Sequence, residues 1–318
     1  MVKSSDRLPL LVILGPTAVG KSAVAMEVAK RLQGEIISAD SAQVYRGMDI
    51  GTDKPSPEDR AVVPHHLIDL RDPDEGFSVA EFQALVFQAA TDIVARGHLP
   101  MLVGGTALYI KAVVDGYAFV PAPRDDAFRA AMWSIAREKG PEILHARLAE
   151  IDPARAATVH PRDAKRIIRA LEVHHVTGKP FSEIAQSQSP SGPYDALMIG
   201  LWRERGELYR RIDARVDQQI ARGLVLEVGR LLAAGYSPEL PAMAALGYKE
   251  VAMAVTGRIS MEEAIRILKR NTRHFARRQL VWWRREPRIR WIAWPAGATA
   301  TEVAQTVCEL AEGYWKGR

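Results

Sequence analysis

The chain has 318 residues, 47% hydrophobic and 25% charged, an ordinary balance for a soluble globular protein with room for one large domain and a smaller one. Its apolar runs are too short to span a membrane, the first ten residues have no apolar stretch to act as a secretory signal, and a single cysteine, Cys308, excludes an internal disulfide or a Cys-based zinc site and fits the cytoplasm. The net charge of +5 is uneven: residues 1–122 carry 11 Lys/Arg against 15 Asp/Glu, whereas residues 123–318 carry 32 against 23, which leans toward a polyanionic partner for the second part, although solubility alone also accounts for a mild excess.

The first element is the β-branched-rich run of residues 10–14, which leads directly into Gly15, Gly20, Lys21 and Ser22 at G-x-x-x-x-G-K-[ST] spacing, with a helical pattern over 22–32 behind it. Strand, glycine loop and helix in that order make a P-loop. The loop backbone turns its N–H groups toward a phosphate, Lys21 adds a point charge, Ser22 offers a hydroxyl to magnesium, and the helix N-terminus favours the anion. The motif indicates a diphosphate or triphosphate without saying which.

Further strands are predicted at 35–40, 66–70 and 99–105, with a helix at 78–96. This alternation predicts an α/β fold: a P-loop NTPase-like, mostly parallel sheet flanked by helices, with functional loops at the carboxyl ends of its strands. Asp40 closes the second strand in "ADSAQVYRGMD". A carboxylate there can hold magnesium, take a proton from a nucleophile, or simply make an Asx turn. Gln43 suits the edge of a base. The fourth strand runs into Gly104, Gly105 and Thr106, where many ATPases place an aspartate; the glycines admit a close ligand or form a plain turn. His65 and His66 are adjacent on a strand and point to opposite faces, which argues against a metal between them, and His174 and His175 diverge likewise on a helix.

The Pro-containing stretch 120–126 breaks the pattern, and the chain reads as helical until the linker-like segment 187–195. The expected organisation is a first core part over 1–122, a mobile helical insertion over 123–195, and a core completion with basic C-terminal helices over 196–318. Within the insertion, Lys165, Arg166 and Arg169 form a small basic cluster. A return strand is predicted at 196–202, then helices at 205–234, 243–255 and 260–285, and a last strand at 290–294. Arg211 and Arg215, four apart, either clamp a diphosphate or make a salt-bridged surface with Asp213 and Asp217. Over 262–285, Ile265, Leu268, Thr272, Phe275, Gln279 and Trp282 form one stripe beside a basic stripe of Arg266, Arg270, Arg273, Arg277 and Arg284, a pattern suited to phosphate-backbone contact.

Taken together, "GPTAVGKS", "IISADSAQVYRGMDIGTDKP", "VPHHLIDL", "LPMLVGGTALY", "HPRDAKRIIRALEV", "TGKP", "ALGYKE" and "KRNTRHFARRQLVWWRR" resemble the tRNA dimethylallyltransferase family, in family order from residue 9 to 294. The resemblance implies transfer of a dimethylallyl group from dimethylallyl diphosphate to the exocyclic amine of the adenosine 3′ of the anticodon, with magnesium as cofactor and diphosphate released. It implies that Gly15, Pro16, Thr17, Ala18, Val19, Gly20, Lys21 and Ser22 bind the donor, with Ser22 on the metal side. Asp40 would be the general base, and Lys21, Ser22 and Arg215 would serve the departing diphosphate. Asp40, Ser41, Ala42, Gln43 and Thr106, with Lys165, Arg166, Ile167, Ile168 and Arg169 of the insertion, would contact tRNA. Ser22 stands where many members have threonine, and Lys165 where glutamine is common. A bacterial-type monomer with no membrane partner is expected; the rival is a P-loop kinase of a nucleoside or small metabolite, which would consume ATP.

Overall fold

A computed structural model of the chain describes residues 7–117, 119, 124–186 and 192–316. Most of the expected hinge segments, residues 120–123 and 187–191, therefore lie outside the described residues. The chain divides into two compact units, Met1–Val114 with Pro193–Arg318, and Asp115–Gly192.

The larger unit is built on six parallel strands: β1 (Leu8–Leu14), β2 (Gly34–Ala39), β3 (His65–His66), β4 (Leu99–Gly104), β5 (Tyr194–Trp202) and β6 (Ile289–Ala293), in the spatial order β3-β2-β4-β1-β5-β6. Helices cover both faces, so β1 is apolar throughout rather than alternating. Leu11 and Ile13 pack toward α1 (Lys21–Leu32), whereas Leu10, Val12 and Leu14 pack toward α3 (Val79–Ala95). Between these helices in sequence lies the short α2 (Pro57–Val62), and α4 (Ala107–Val114) follows β4. The smaller unit is helical: α5 (Asp126–Lys139), α6 (Pro141–Ile151), α7 (Pro153–Ala156), α8 (Ala164–Thr177) and α9 (Phe181–Gln186) surround Leu144, Leu148, Ile167, Ile168 and Leu171.

After β5 come α10 (Arg205–Ala221), α11 (Leu224–Ala233), α12 (Tyr248–Val255) and α13 (Met261–Trp283), and α14 (Ala300–Lys316) packs on α1 after the last strand. The single helix expected over 205–234 is two, because Gly223 at φ 100° turns the chain between them. The third strand is also shorter than 66–70. Leu67 and Asp69 adopt positive φ, and the chain leaves the sheet to pair instead with the loop after β2, through Leu70 N–H to Val44 O at 2.7 Å. On α13 the buried stripe ends on Trp283, fully buried, rather than Trp282, which is 40% exposed.

The two histidines of β3 do part company. His65 Nδ1 meets the Val63 carbonyl at 2.7 Å, while His66 Nε2 lies 2.7 Å from Oε2 of the buried Glu35. Glu35 also receives Arg96, at 2.7 and 3.1 Å, and His98 Nδ1 at 2.6 Å. Burial alone would raise its pKa, but these donors outweigh burial and hold the carboxyl at about 2.

Candidate active site

The loop between β1 and α1 curls with Gly20 at φ 110°, and a Cβ there would sit 2.9 Å from the ring of Trp294 at the end of β6. Glycine is thus required both by conformation and by the aromatic floor beneath it. Lys21 Nζ folds back onto the carbonyls of Gly15 at 3.1 Å and Pro16 at 2.9 Å. Desolvation, with Arg215 nearby, lowers its pKa to about 8 against an opposing pull from Asp40.

Consecutive loop residues are tied to one stretch of chain at α10. Arg215 Nη1 donates to Thr17 Oγ1 at 2.5 Å, Arg211 Nε to Ala18 O at 3.0 Å, and Arg203 Nε to Val19 O at 2.9 Å. Arg203 in turn lies 3.7 Å over the Trp294 ring. From α13, the buried Gln279 accepts from Thr17 N–H at 2.9 Å and donates to Gly105 O at 3.0 Å, so it bolts the P-loop to the end of β4. The pair Gly104–Gly105 follows from close approach. A Cβ on Gly104 would lie 2.3 Å from Ala39 O, and one on Gly105 2.3 Å from Gln279 Nε2.

Asp40 follows β2 directly, beside β4. Its Oδ1 accepts from Ala42 N–H at 2.8 Å, the Asx turn that the sequence allowed, and its other oxygen makes no hydrogen bond among the described residues. Thr106 Oγ1 accepts from Ser41 N–H at 3.3 Å and keeps this loop against the start of α4. A cavity of about 550 Å³ brings together Thr17, Ala18, Gly20, Lys21, Ser22, Asp40, Gln43, Gly105, Arg211, Arg215 and Gln279. Gly15 and Pro16 meet the site through their carbonyls, and Val19 is fully buried in the core below it, so it offers only backbone.

Two expectations need correction. Gln43 keeps its amide internal: Oε1 accepts from Ser38 Oγ at 2.7 Å, and Nε2 donates to Thr52 O and Asp53 O at 3.1 and 3.2 Å. It pins the 52–53 loop and does not present a donor–acceptor pair to a base edge. In the smaller unit, Ile167 and Ile168 are core residues, 0% and 2% exposed, because on α8 they fall on the face packed against α6. Arg169 Nη1 bonds the fully buried Glu172 at 2.6 Å, beside a bidentate Arg129. Lys165 and Arg166, on the first turn of α8, are exposed.

The basic face of α13 is divided. Arg266 pairs with Glu263, Lys269 with Asp217 and Arg273 with Asp213, so its first half is largely neutralised. Farther along, Arg277, Arg278 and Arg285 line a second cleft of about 600 Å³ with Trp282, and no acidic partner meets them among the described residues. Sequence reasoning placed Gln279 in the apolar stripe and passed over Asp53, Arg203 and Trp294. The one available signal was a glutamine set among mostly apolar residues of that stripe.

The sequence model of the IPP transferase family matches residues 43–286. The tRNA dimethylallyltransferase of Pelotomaculum thermopropionicum is 48% identical over 313 residues, covering 98% of this chain and 99% of that protein. That of Symbiobacterium thermophilum is 50% identical over 312 residues, covering 98% of each. Among solved structures, the full-length tRNA isopentenylpyrophosphate transferase of Bacillus halodurans superposes with a TM-score of 0.72 at 42% identity, covering 98% of this chain and 99% of that one. A eukaryotic dimethylallyltransferase acting on tRNA superposes with a TM-score of 0.82 at 27% identity, covering 98% of this chain and 80% of that one. With a family model matching residues 43–286 and relatives about half identical along nearly its whole length, the chain belongs to the IPP transferase family.

Proposed function

We propose that the protein transfers the dimethylallyl group of dimethylallyl diphosphate to the exocyclic amine of adenosine 37, the residue 3′ of the anticodon in tRNA, and releases diphosphate. The observation that carries this reading is one cavity holding both a phosphate cradle with Lys21 and an Asp40 carboxylate with an uncommitted oxygen. The loop N–H groups and Lys21 bind the diphosphate, and Arg215, which Thr17 holds against the loop, supports them. As the amine nitrogen bonds to the prenyl carbon, the carbon–oxygen bond breaks and its electron pair leaves with the diphosphate. Asp40 takes the proton that the amine loses, which is what so weak a nucleophile requires.

The Ser22 hydroxyl is a hard oxygen donor lining the same cavity, and among the described residues no cluster of His, Cys, Asp or Glu competes for a metal. That hydroxyl would hold a magnesium ion, which would offset the charge developing on the diphosphate. Lys165 and Arg166 are assigned to tRNA phosphates, with Ile167, Ile168 and Arg169 supporting their helix from within. No helix among the described residues is long and apolar enough to cross a membrane; with tRNA as the proposed substrate, the cytoplasm is the proposed location.

The test uses purified protein, magnesium, an anticodon stem-loop and labelled dimethylallyl diphosphate, run beside labelled ATP. Label entering RNA from the prenyl donor alone is the expected result. Phosphoryl transfer from ATP to a small acceptor would replace this reading with that of a kinase.

A further inference from the structure

Asp53 lies near the end of the "IISADSAQVYRGMDIGTDKP" motif and no role was drawn from it there, yet it is held with unusual care. It sits at φ 55° in the loop after β2, a conformation that costs most side chains energy and that aspartate tolerates. The loop is locked from behind. Buried Glu227 accepts from Ile50 N–H at 2.9 Å, buried Gln219 donates to Gly51 O at 2.9 Å, and Gln43 donates to Asp53 O at 3.2 Å. All this fixes one carboxylate, whose Oδ2 lies 3.2 Å from Arg215 Nε and whose Oδ1 lies 3.0 Å from Arg222 Nη1. Arg215 is thereby gripped at two corners, Nε by Asp53 and Nη1 by Thr17. Its Nη2 makes no hydrogen bond among the described residues, in a side chain that lines the phosphate cavity.

We propose that Asp53 is a positioning residue for the diphosphate-binding arginine: it turns the Arg215 guanidinium so that one edge is left for the leaving group, and it offsets enough of the arginine's charge to let diphosphate go. This deepens the function proposed above and rests on it. Carboxylate and diphosphate compete for the same cation, so orientation and release are set by one contact.

The test compares Asp53→Ala and Asp53→Asn with wild type. It reads kcat, donor KM, thermal midpoint and the affinity for inorganic diphosphate with magnesium by calorimetry. Asp53→Ala should lower kcat about tenfold with donor KM within about twofold, and should bind diphosphate about three- to tenfold more tightly. Asp53→Asn keeps an acceptor but no charge, so it should recover most of kcat while still holding diphosphate tightly. In an Arg215→Ala background, Asp53→Ala should change neither quantity. Three results would overturn the proposal: an alanine variant within twofold of wild type throughout, the same change in both backgrounds, or a lowered thermal midpoint with weaker diphosphate binding, which would mark Asp53 as loop support only. A wild-type protein that binds diphosphate but moves no prenyl group would instead overturn the proposed reaction, and the calorimetry would still decide the role of Asp53.

Discussion

Glu35 and Asp40 stand at opposite ends of β2, one at the second residue of the strand and the other just past its last. Glu35 is almost wholly buried and meets Arg96, His66 and His98; Asp40 has one backbone N–H and an oxygen without a hydrogen bond among the described residues. The sheet explains the contrast. At the amino end, neighbouring strands and the turn before β4 converge on Glu35, so every lone pair finds a donor. At the carboxyl end the loops part around the P-loop, and the carboxylate there keeps capacity for something that arrives later. A saturated carboxylate holds structure together, and an unsaturated one is available for chemistry.

The sharpest way to break this comparison is Asp40→Ala. Transfer to an anticodon stem-loop should fall about 10²–10⁴-fold, the usual worth of a general base, while donor binding stays within about threefold. Single-turnover rates and equilibrium binding measured side by side check this; equal losses in both would make Asp40 a holder of donor and metal instead of a base. The converse substitution, Glu35→Gln, should cost about 2–4 kcal/mol in urea unfolding and leave turnover at 25 °C within about twofold. The pH dependence has a definite sign. The folded-state pKa of Glu35, about 2, lies below its ordinary value of 4.5, so its contribution is complete above pH 4.5 and is lost as pH falls toward 2. The stability gap between wild type and Glu35→Gln should therefore close over that interval.

Gln279→Ala lies between the two ends. It orphans Thr17 N–H and Gly105 O, and should raise donor KM about tenfold with a smaller effect on stability, read from kinetics and urea midpoints together. The smallest effect concerns Lys21. Its pKa of about 8 leaves it charged below that pH, and above it donor binding must first take up a proton. Donor affinity should drop about threefold between pH 7.5 and 8.5, and Lys21→Arg should flatten that profile whatever its absolute affinity.

The phosphate loop, the strands beside it and the place of Asp40 were legible because each depends on residues adjacent in sequence, or on a strand end that a parallel sheet always directs to one edge. What was not legible depends on partners far along the chain. Gln279 meets Thr17 across 262 positions and Asp53 meets Arg215 across most of the core, and no local pattern encodes either contact. The third strand read too long because its apolar alternation outlasts the pairing, the backbone turning away at Leu67. Ile167 and Ile168 were drawn in with a basic cluster whose helical period sends them inward. Glu35 read only as a residue of the second strand, since its donors come from two distant segments, His66 and residues 96–98.

The aromatic floor under Gly20 has a consequence for the order of synthesis. The P-loop is complete in sequence by residue 22, but Trp294 reaches it only after nearly the whole chain has been made, and β5, which flanks β1, is also late. At roughly 5–20 residues per second, a ribosome takes about 15–55 seconds to get from one to the other. During that interval the emerging chain displays a glycine-rich loop without its floor, and until residue 202 with only β4 available to flank β1. A nascent chain stalled before residue 294 should therefore hold diphosphate poorly, and binding competence should arrive late and abruptly, with the last strand of the sheet.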